Sequence, residues 1–194
     1  MIISDKNKYI FIRTQKVGGT SITRALPKPN RGFMKSDRTW IEGQTGRRMD
    51  PNHIPAKYIK QLIDPCKVDE YFKFSIARNP YDRAVSLYHY LTRMGKHKYI
   101  NFECFIRNIH KIEWYGVQMS QSEFIGEVDY VIKFENLQTD FNTVCKKIGV
   151  PHKQLQHYKK TDNRRHYRDY YDDETKQIIV NKFQDDIDRF GYTF

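Results

Sequence analysis

A lysine, two glycines and two hydroxyl residues fall together in Lys16-Val17-Gly18-Gly19-Thr20-Ser21, shortly after the apolar run Tyr9-Ile10-Phe11-Ile12. Glycine lets backbone N–H groups approach an anion, and lysine adds a full positive charge. A helix opening at the hydroxyl residues would add the positive end of its dipole. This order of residue types suits a phosphate-like or sulfate-like group. It matches neither common nucleotide loop. A Walker A loop puts lysine after its last glycine, with a magnesium-holding hydroxyl next, and a dinucleotide fold shows G-x-G-x-x-G. Here Lys16 precedes both glycines and Val17 follows it. Taken alone, the loop could be a plain glycine turn between a strand and a helix.

A second feature of the same kind follows at Arg78-Asn79-Pro80-Tyr81-Asp82-Arg83-Ala84-Val85-Ser86. Another strand-like run ends here and a helix begins. Pro80 suits the first helical turn, where its missing N–H costs nothing. Tyr81, Ala84, Val85, Tyr88 and Leu91 recur at helical spacing and define a buried face. Arg78 stands at the carboxyl end of the strand, where open α/β sheets bind ligands. Its guanidinium is shaped to grip a phosphate through parallel hydrogen bonds.

With both features in order, the chain resembles the sulfotransferases that use 3′-phosphoadenosine 5′-phosphosulfate (PAPS). Lys16-Val17-Gly18-Gly19-Thr20-Ser21 is similar to their 5′-phosphosulfate loop, and the stretch from Arg78 to Ser86 to their 3′-phosphate motif. The likeness is to the carbohydrate-type branch, with heparan sulfate 2-O-sulfotransferases and short bacterial members. It continues through Val131-Ile132-Lys133-Phe134-Glu135-Asn136-Leu137 to Asp185-Asp186-Ile187-Asp188-Arg189-Phe190-Gly191-Tyr192 and is thin over 31–52 and 95–114. Gln15 departs from the family, which usually has proline before the lysine.

The resemblance implies a division of labour. Lys16, Val17, Gly18, Gly19, Thr20 and Ser21 would hold the 5′-phosphosulfate, with Lys16 neutralising the bridging oxygen as the sulfuryl group leaves. Arg78 and Ser86 would hold the 3′-phosphate, which separates this donor from ATP. A loop that closes over the nucleotide in the family points to Arg165 and Tyr167. Sulfuryl transfer asks for in-line positioning and charge stabilisation, and the sulfuryl group carries less charge than a phosphoryl group, so a metal is less necessary.

The acceptor hydroxyl must lose its proton, and imidazole is the side chain best suited near neutral pH. His53, in Asp50-Pro51-Asn52-His53-Ile54-Pro55, lies between the donor motifs and resembles the base of the 2-O-sulfotransferase branch. A lone histidine ahead of a helix more commonly caps it or lies on the surface. Glu42 and Asp50 are the nearest carboxylate competitors. Gln118 and Gln121, in a stretch similar to the family's acceptor side, are candidates for sugar hydroxyls, with ordinary loop polarity as the alternative.

Composition narrows the field. A chain of 194 residues with 39% hydrophobic residues fits one domain with a real core. The formal charge of +11 fits a polyanionic donor and an acidic acceptor as well as nucleic acid. Two other classes compete: a P-loop-type nucleotide kinase, opposed by Val17 after the lysine, and a non-catalytic basic nucleic-acid-binding module, which leaves both strand–loop–helix features unexplained. The three cysteines are scattered and the histidines lack metal-ligand spacing, so neither a disulfide framework nor a metal site is expected. The first residues lack the apolar core of a signal peptide, and no run approaches a membrane span. Animal relatives are typically Golgi-anchored, so the expectation is a cytoplasmic, prokaryotic or viral member.

The pattern predicts strands over 8–14, 71–77 and 128–134. Helices are expected over 20–26, 55–63, 80–94 and 140–148, after Asn101, and from Asp172 to a stop at Gly191. Strands alternating with helices imply a single P-loop-like α/β domain over 1–194, its mainly parallel central sheet flanked by helices.

Overall fold

A computed structural model of the chain describes residues 1–27, 31–32, 52–96, 99–112, 118–156, 158 and 164–194. In chain order the regular elements are β1 (Ile2–Ser4), β2 (Tyr9–Ile12), α1 (Gly19–Ala25), β3 (Arg31–Gly32), α2 (Ile59–Leu62), α3 (Pro65–Glu70), β4 (Phe72–Ala77), α4 (Pro80–Arg93), α5 (Phe102–Arg107), α6 (Gln121–Ile125), β5 (Tyr130–Lys133), α7 (Leu137–Lys147) and α8 (Asp173–Phe190). By contacts the chain divides into two compact units. Met1–Ala77 with Glu123–Tyr158 makes the first, and Arg78–Ser122 with Lys159–Phe194 the second.

Among the described residues, all strands of the sheet lie in the first unit, in the order β3-β1-β2-β4-β5. β2 pairs parallel with β4, and β4 with β5, while β1 is antiparallel to both β2 and β3. Four of the five strands therefore run in one direction, as the mainly parallel expectation requires. Tyr9, Ile10, Phe11 and Ile12 are all fully buried, so β2 is covered on both faces. On one face Phe11 stacks on Phe74 at 4.8 Å, and Ile22 of α1 and Phe141 and Val144 of α7 close over Tyr9, Ile76 and Ile132. The edge strand β5 has its Lys133 N–H capped by the Asp140 carboxylate at 2.7 Å.

The second unit is helical. Asn79 caps α4 by accepting the Tyr81 N–H at 3.0 Å, with Pro80 in the first turn. Asn101 caps α5 in the same way, at 2.8 Å from the Cys104 nitrogen. α8 begins with a reciprocal box between Asp172 and Thr175 and ends at Gly191, whose φ is +61°. It is kinked at Phe183. Tyr81, Val85, Leu91, Phe102, Phe105, Ile179 and Phe183 make a core of their own.

The elements differ from expectation in several places: the strand expected over 8–14 is confined to Tyr9–Ile12, and the helix expected over 140–148 starts earlier, at Leu137. The helix predicted over 55–63 is a 3₁₀ turn, Ala56–Tyr58, followed by the short α2. A separate α3 follows because Asp64 caps the Cys66 nitrogen at 2.9 Å with Pro65 next to it. β1 was not anticipated: three residues at the chain start show no period to read. Among the described residues, no helix is long and apolar enough to cross a membrane.

Candidate active site

In the first unit, β2 leads through Arg13-Thr14-Gln15 into the lysine–glycine loop. Thr14 fastens the loop's base, its hydroxyl donating to the Ile76 carbonyl of β4 at 2.8 Å. Ser75 repeats this toward the Ile12 carbonyl at 2.6 Å. Two residues of the loop are left-handed, Lys16 at φ +64° and Gly18 at +80°. For a lysine that conformation carries strain, held here by the packed strand before it and the helix after it. Left-handed residues within a turn direct backbone N–H groups into a concavity of the kind that binds anions. Val17 is fully buried in the sheet's core, so its side chain serves the fold and its peptide the loop.

The hydroxyls divide. Ser21 is buried and donates to the Gln156 carbonyl at 2.7 Å, while its N–H goes to the Gly18 carbonyl at 3.0 Å. Thr20 instead accepts from the Arg13 guanidinium at 2.9 Å. His53 joins this same unit: its Nδ1 lies 2.8 Å from the Arg13 carbonyl oxygen. A carbonyl oxygen only accepts, so Nδ1 carries a proton, and in the neutral ring the lone pair falls on Nε2. No local pattern in the chain announces this contact, which joins residues 40 positions apart. The competitors Glu42 and Asp50 lie outside the described residues.

The second unit holds Arg78, Ser86, Arg165 and Tyr167. Arg78 is 7% exposed and is fixed at both ends. Its N–H donates to Gln121 Oε1 at 3.0 Å and its carbonyl accepts from Gln121 Nε2 at 2.9 Å. Its Nε and Nη2 both reach Asp82 Oδ2, each at 2.7 Å. Arg164 pairs with the other oxygen of the same carboxylate. Two guanidiniums on one carboxylate leave positive charge in excess, and these side chains are largely shielded from solvent screening. Ser86 stands one helical turn beyond Asp82, on the same face of α4. His89 follows on that face and meets the Tyr170 hydroxyl at 2.9 Å. Burial, and after it the Arg164 charge, holds the His89 imidazole below its ordinary value.

Behind Arg78 lies a buried anion. Asp186 of α8 is fully buried and accepts from the Gln121 N–H at 2.9 Å, Gln121 Nε2 at 3.2 Å and the Ser122 N–H at 2.7 Å. Burial pulls the neighbouring Arg83 guanidinium below its ordinary value, with the Asp186 charge opposing and Arg78 adding to the shift. Gln121 is thus a structural clamp rather than a ligand for sugar hydroxyls, and Gln118 donates to the Ile112 carbonyl at 2.6 Å. Arg165 lies over the Tyr170 ring at 5.0 Å, and Tyr167 packs edge-on to Phe194. The i,i+4 pairing of Arg78 with Asp82 was legible from spacing alone. Arg164 was not, because its partner lies 82 residues away.

Comparison with known proteins bears on this arrangement. An uncharacterized protein of Archaeoglobus fulgidus is 30% identical over 105 residues, 50% of this chain and 84% of that protein. The crystal structure of a sulfotransferase from Alicyclobacillus acidocaldarius aligns over 92% of each chain, with a TM-score of 0.48 and 16% identity. The model of the sulfotransferase family matches residues 1–193, which include the lysine–glycine loop, His53 and the Arg78 segment. The chain belongs to the sulfotransferase family.

Proposed function

We propose that the protein moves the sulfuryl group of PAPS to a hydroxyl of a carbohydrate acceptor, in line, with His53 as general base. The observation that carries this reading is the Nδ1 contact of His53 with the Arg13 carbonyl, three residues before Lys16. It leaves Nε2 able to take a proton, in the same unit as the loop for the transferring group. The acceptor O–H gives its proton to Nε2, and its oxygen forms a bond to sulfur. The bond from sulfur to the bridging phosphate oxygen breaks. The electron pair stays on that oxygen, where Lys16 meets the developing charge. The products are a sulfate ester and 3′,5′-adenosine bisphosphate (PAP).

Lys16, Gly18, Gly19, Thr20 and the Val17 peptide serve the 5′ end of the donor, while Ser21, expected among them, anchors the loop through the Gly18 and Gln156 carbonyls; Arg78 and Ser86 serve its 3′-phosphate. Arg165 and Tyr167 contact the nucleotide. The positive charge of the chain favours an acidic glycan. The whole chain acts as one sulfotransferase domain.

Thermal unfolding tests the donor. PAP with a chelator present should stabilise the protein by about 2.7 kcal/mol at ~100 times its dissociation constant, against little from ATP with magnesium or from an oligonucleotide. His53→Ala tests the base. Turnover with PAPS should fall roughly 10²–10⁴-fold while PAP affinity stays near wild type. Near-normal turnover would move the role to Glu42 or Asp50, and lost PAP binding would make His53 a structural residue.

A further inference from the structure

The side chain of Arg13 lies on the lysine–glycine loop. Nη2 donates to the Thr20 hydroxyl at 2.9 Å. A Cβ placed on Gly19 would stand 2.9 Å from both Cγ and Nε of Arg13, and 3.3 Å from its Cδ. The arginine stem therefore crosses the α-carbon of Gly19, in the space any other residue's Cβ would fill. Gly19 opens α1 without a positive φ, so its own backbone does not demand glycine. Gly18, at φ +80°, does. The adjacent glycines have different causes: one turns the chain and the other makes room for Arg13.

We propose that Arg13 is a positioning residue of the anion loop, and that Gly19 is needed as the space its side chain occupies. A hydroxyl has one hydrogen and two lone pairs. With a lone pair of Thr20 engaged by the guanidinium, its hydrogen is left to donate to a bound anion. The adjacent positive charge strengthens that donation. The guanidinium also adds a fixed cation to the loop that carries Lys16. Through its carbonyl the same residue orients His53. This inference rests on the reading that the loop holds the 5′ end of the donor.

The test compares wild type, Arg13→Met, Arg13→Lys, Gly19→Ala and the double variant Arg13→Met/Gly19→Ala. PAP affinity is measured by calorimetry, and ligand-free stability by urea unfolding. Arg13→Met keeps the stem and loses every N–H. It should weaken PAP roughly 10-fold or more with an unchanged unfolding midpoint, and Arg13→Lys should recover part of the loss. Gly19→Ala must push the arginine off Thr20, so it should reproduce the Arg13→Met loss. The double variant should then bind no worse than either single one. Losses that multiply in the double variant overturn the proposal, as does an Arg13→Met protein that binds PAP like wild type. Should Arg13→Met fail to fold, Arg13→Lys and Gly19→Ala still decide: binding like wild type in both overturns it. A wild-type protein that does not bind PAP removes the donor reading and this inference together, whereas wild-type binding that Arg13→Met leaves intact removes this inference alone.

Discussion

The lysine–glycine loop and the Arg78 segment both follow a strand of the parallel set and both present positive charge, but they are shaped by different means. The loop is shaped by its backbone: two left-handed residues, a fully buried Val17 and a threonine–serine pair tying its base to the neighbouring strand. The Arg78 segment is shaped by side chains. Gln121 clamps the Arg78 peptide, Asp82 clamps its guanidinium, and the buried Asp186 holds Gln121. The difference locates their weak points. A backbone-built site fails where a Cβ is forced into the wrong place, whereas a side-chain network fails when one buried member leaves its partners unsatisfied.

The strongest way to break the comparison is Asp186→Ala. It strands two N–H groups and the Gln121 amide, and removes the anion facing the buried Arg83. A loss of about 3–5 kcal/mol in urea unfolding is expected, as for other buried charges deprived of a partner. A loss near zero would show that the network does not hold the segment.

Arg78→Ala comes next and sharpens the chemical half of the contrast. Calorimetry should show PAP weakened by about 1.5–3 kcal/mol, the worth of hydrogen bonds to a charged group, with 5′-AMP little changed. Equal losses for both ligands would reduce Arg78 to a support of the fold.

Gly18→Ala probes the backbone-built side without touching a charge. The added Cβ would sit 3.0 Å from the Phe134 ring, on a residue at φ +80°. The left-handed conformation alone should cost roughly 1–2 kcal/mol, read by thermal unfolding, with weaker PAP binding alongside it.

The smallest effect belongs to the start of α8, the helix that carries Asp186. The Thr175 hydroxyl and N–H donate to the Asp172 carboxylate at 2.6 and 2.7 Å and hold its pKa below the ordinary 3.8. A carboxyl lowered in the folded state adds stability that is complete above its unfolded value and fades as pH falls through its folded one. Thermal stability should therefore drop as pH falls below 3.8. Asp172→Asn should flatten that drop and change little at neutral pH, because asparagine also caps.

Much of the fold followed from local chemistry that a linear chain displays. The parallel strands were legible as apolar runs, and three helices through Pro80, Asn101, Asp172 and the closing Gly191, because caps and periodicity act over a few residues. The helix expected over 55–63 broke into a 3₁₀ turn and a short α-helix, where neighbouring Asp64 and Pro65 start a new one. For the site, the sequence by itself determined the residue types: lysine beside two glycines, arginine at a strand end, histidine between them. Only the tertiary structure decided what each side chain touches. It set Arg13 over Gly19, His53 on the Arg13 carbonyl, Arg164 on Asp82, and Gln121 between Arg78 and Asp186. The reason is physical. A buried hydrogen bond or ion pair is set by where packed elements bring groups within about 3 Å; partners that lie 40 to 82 positions apart leave no local pattern in the chain, and Arg13 meets Gly19 and Thr20 only through the turn between them.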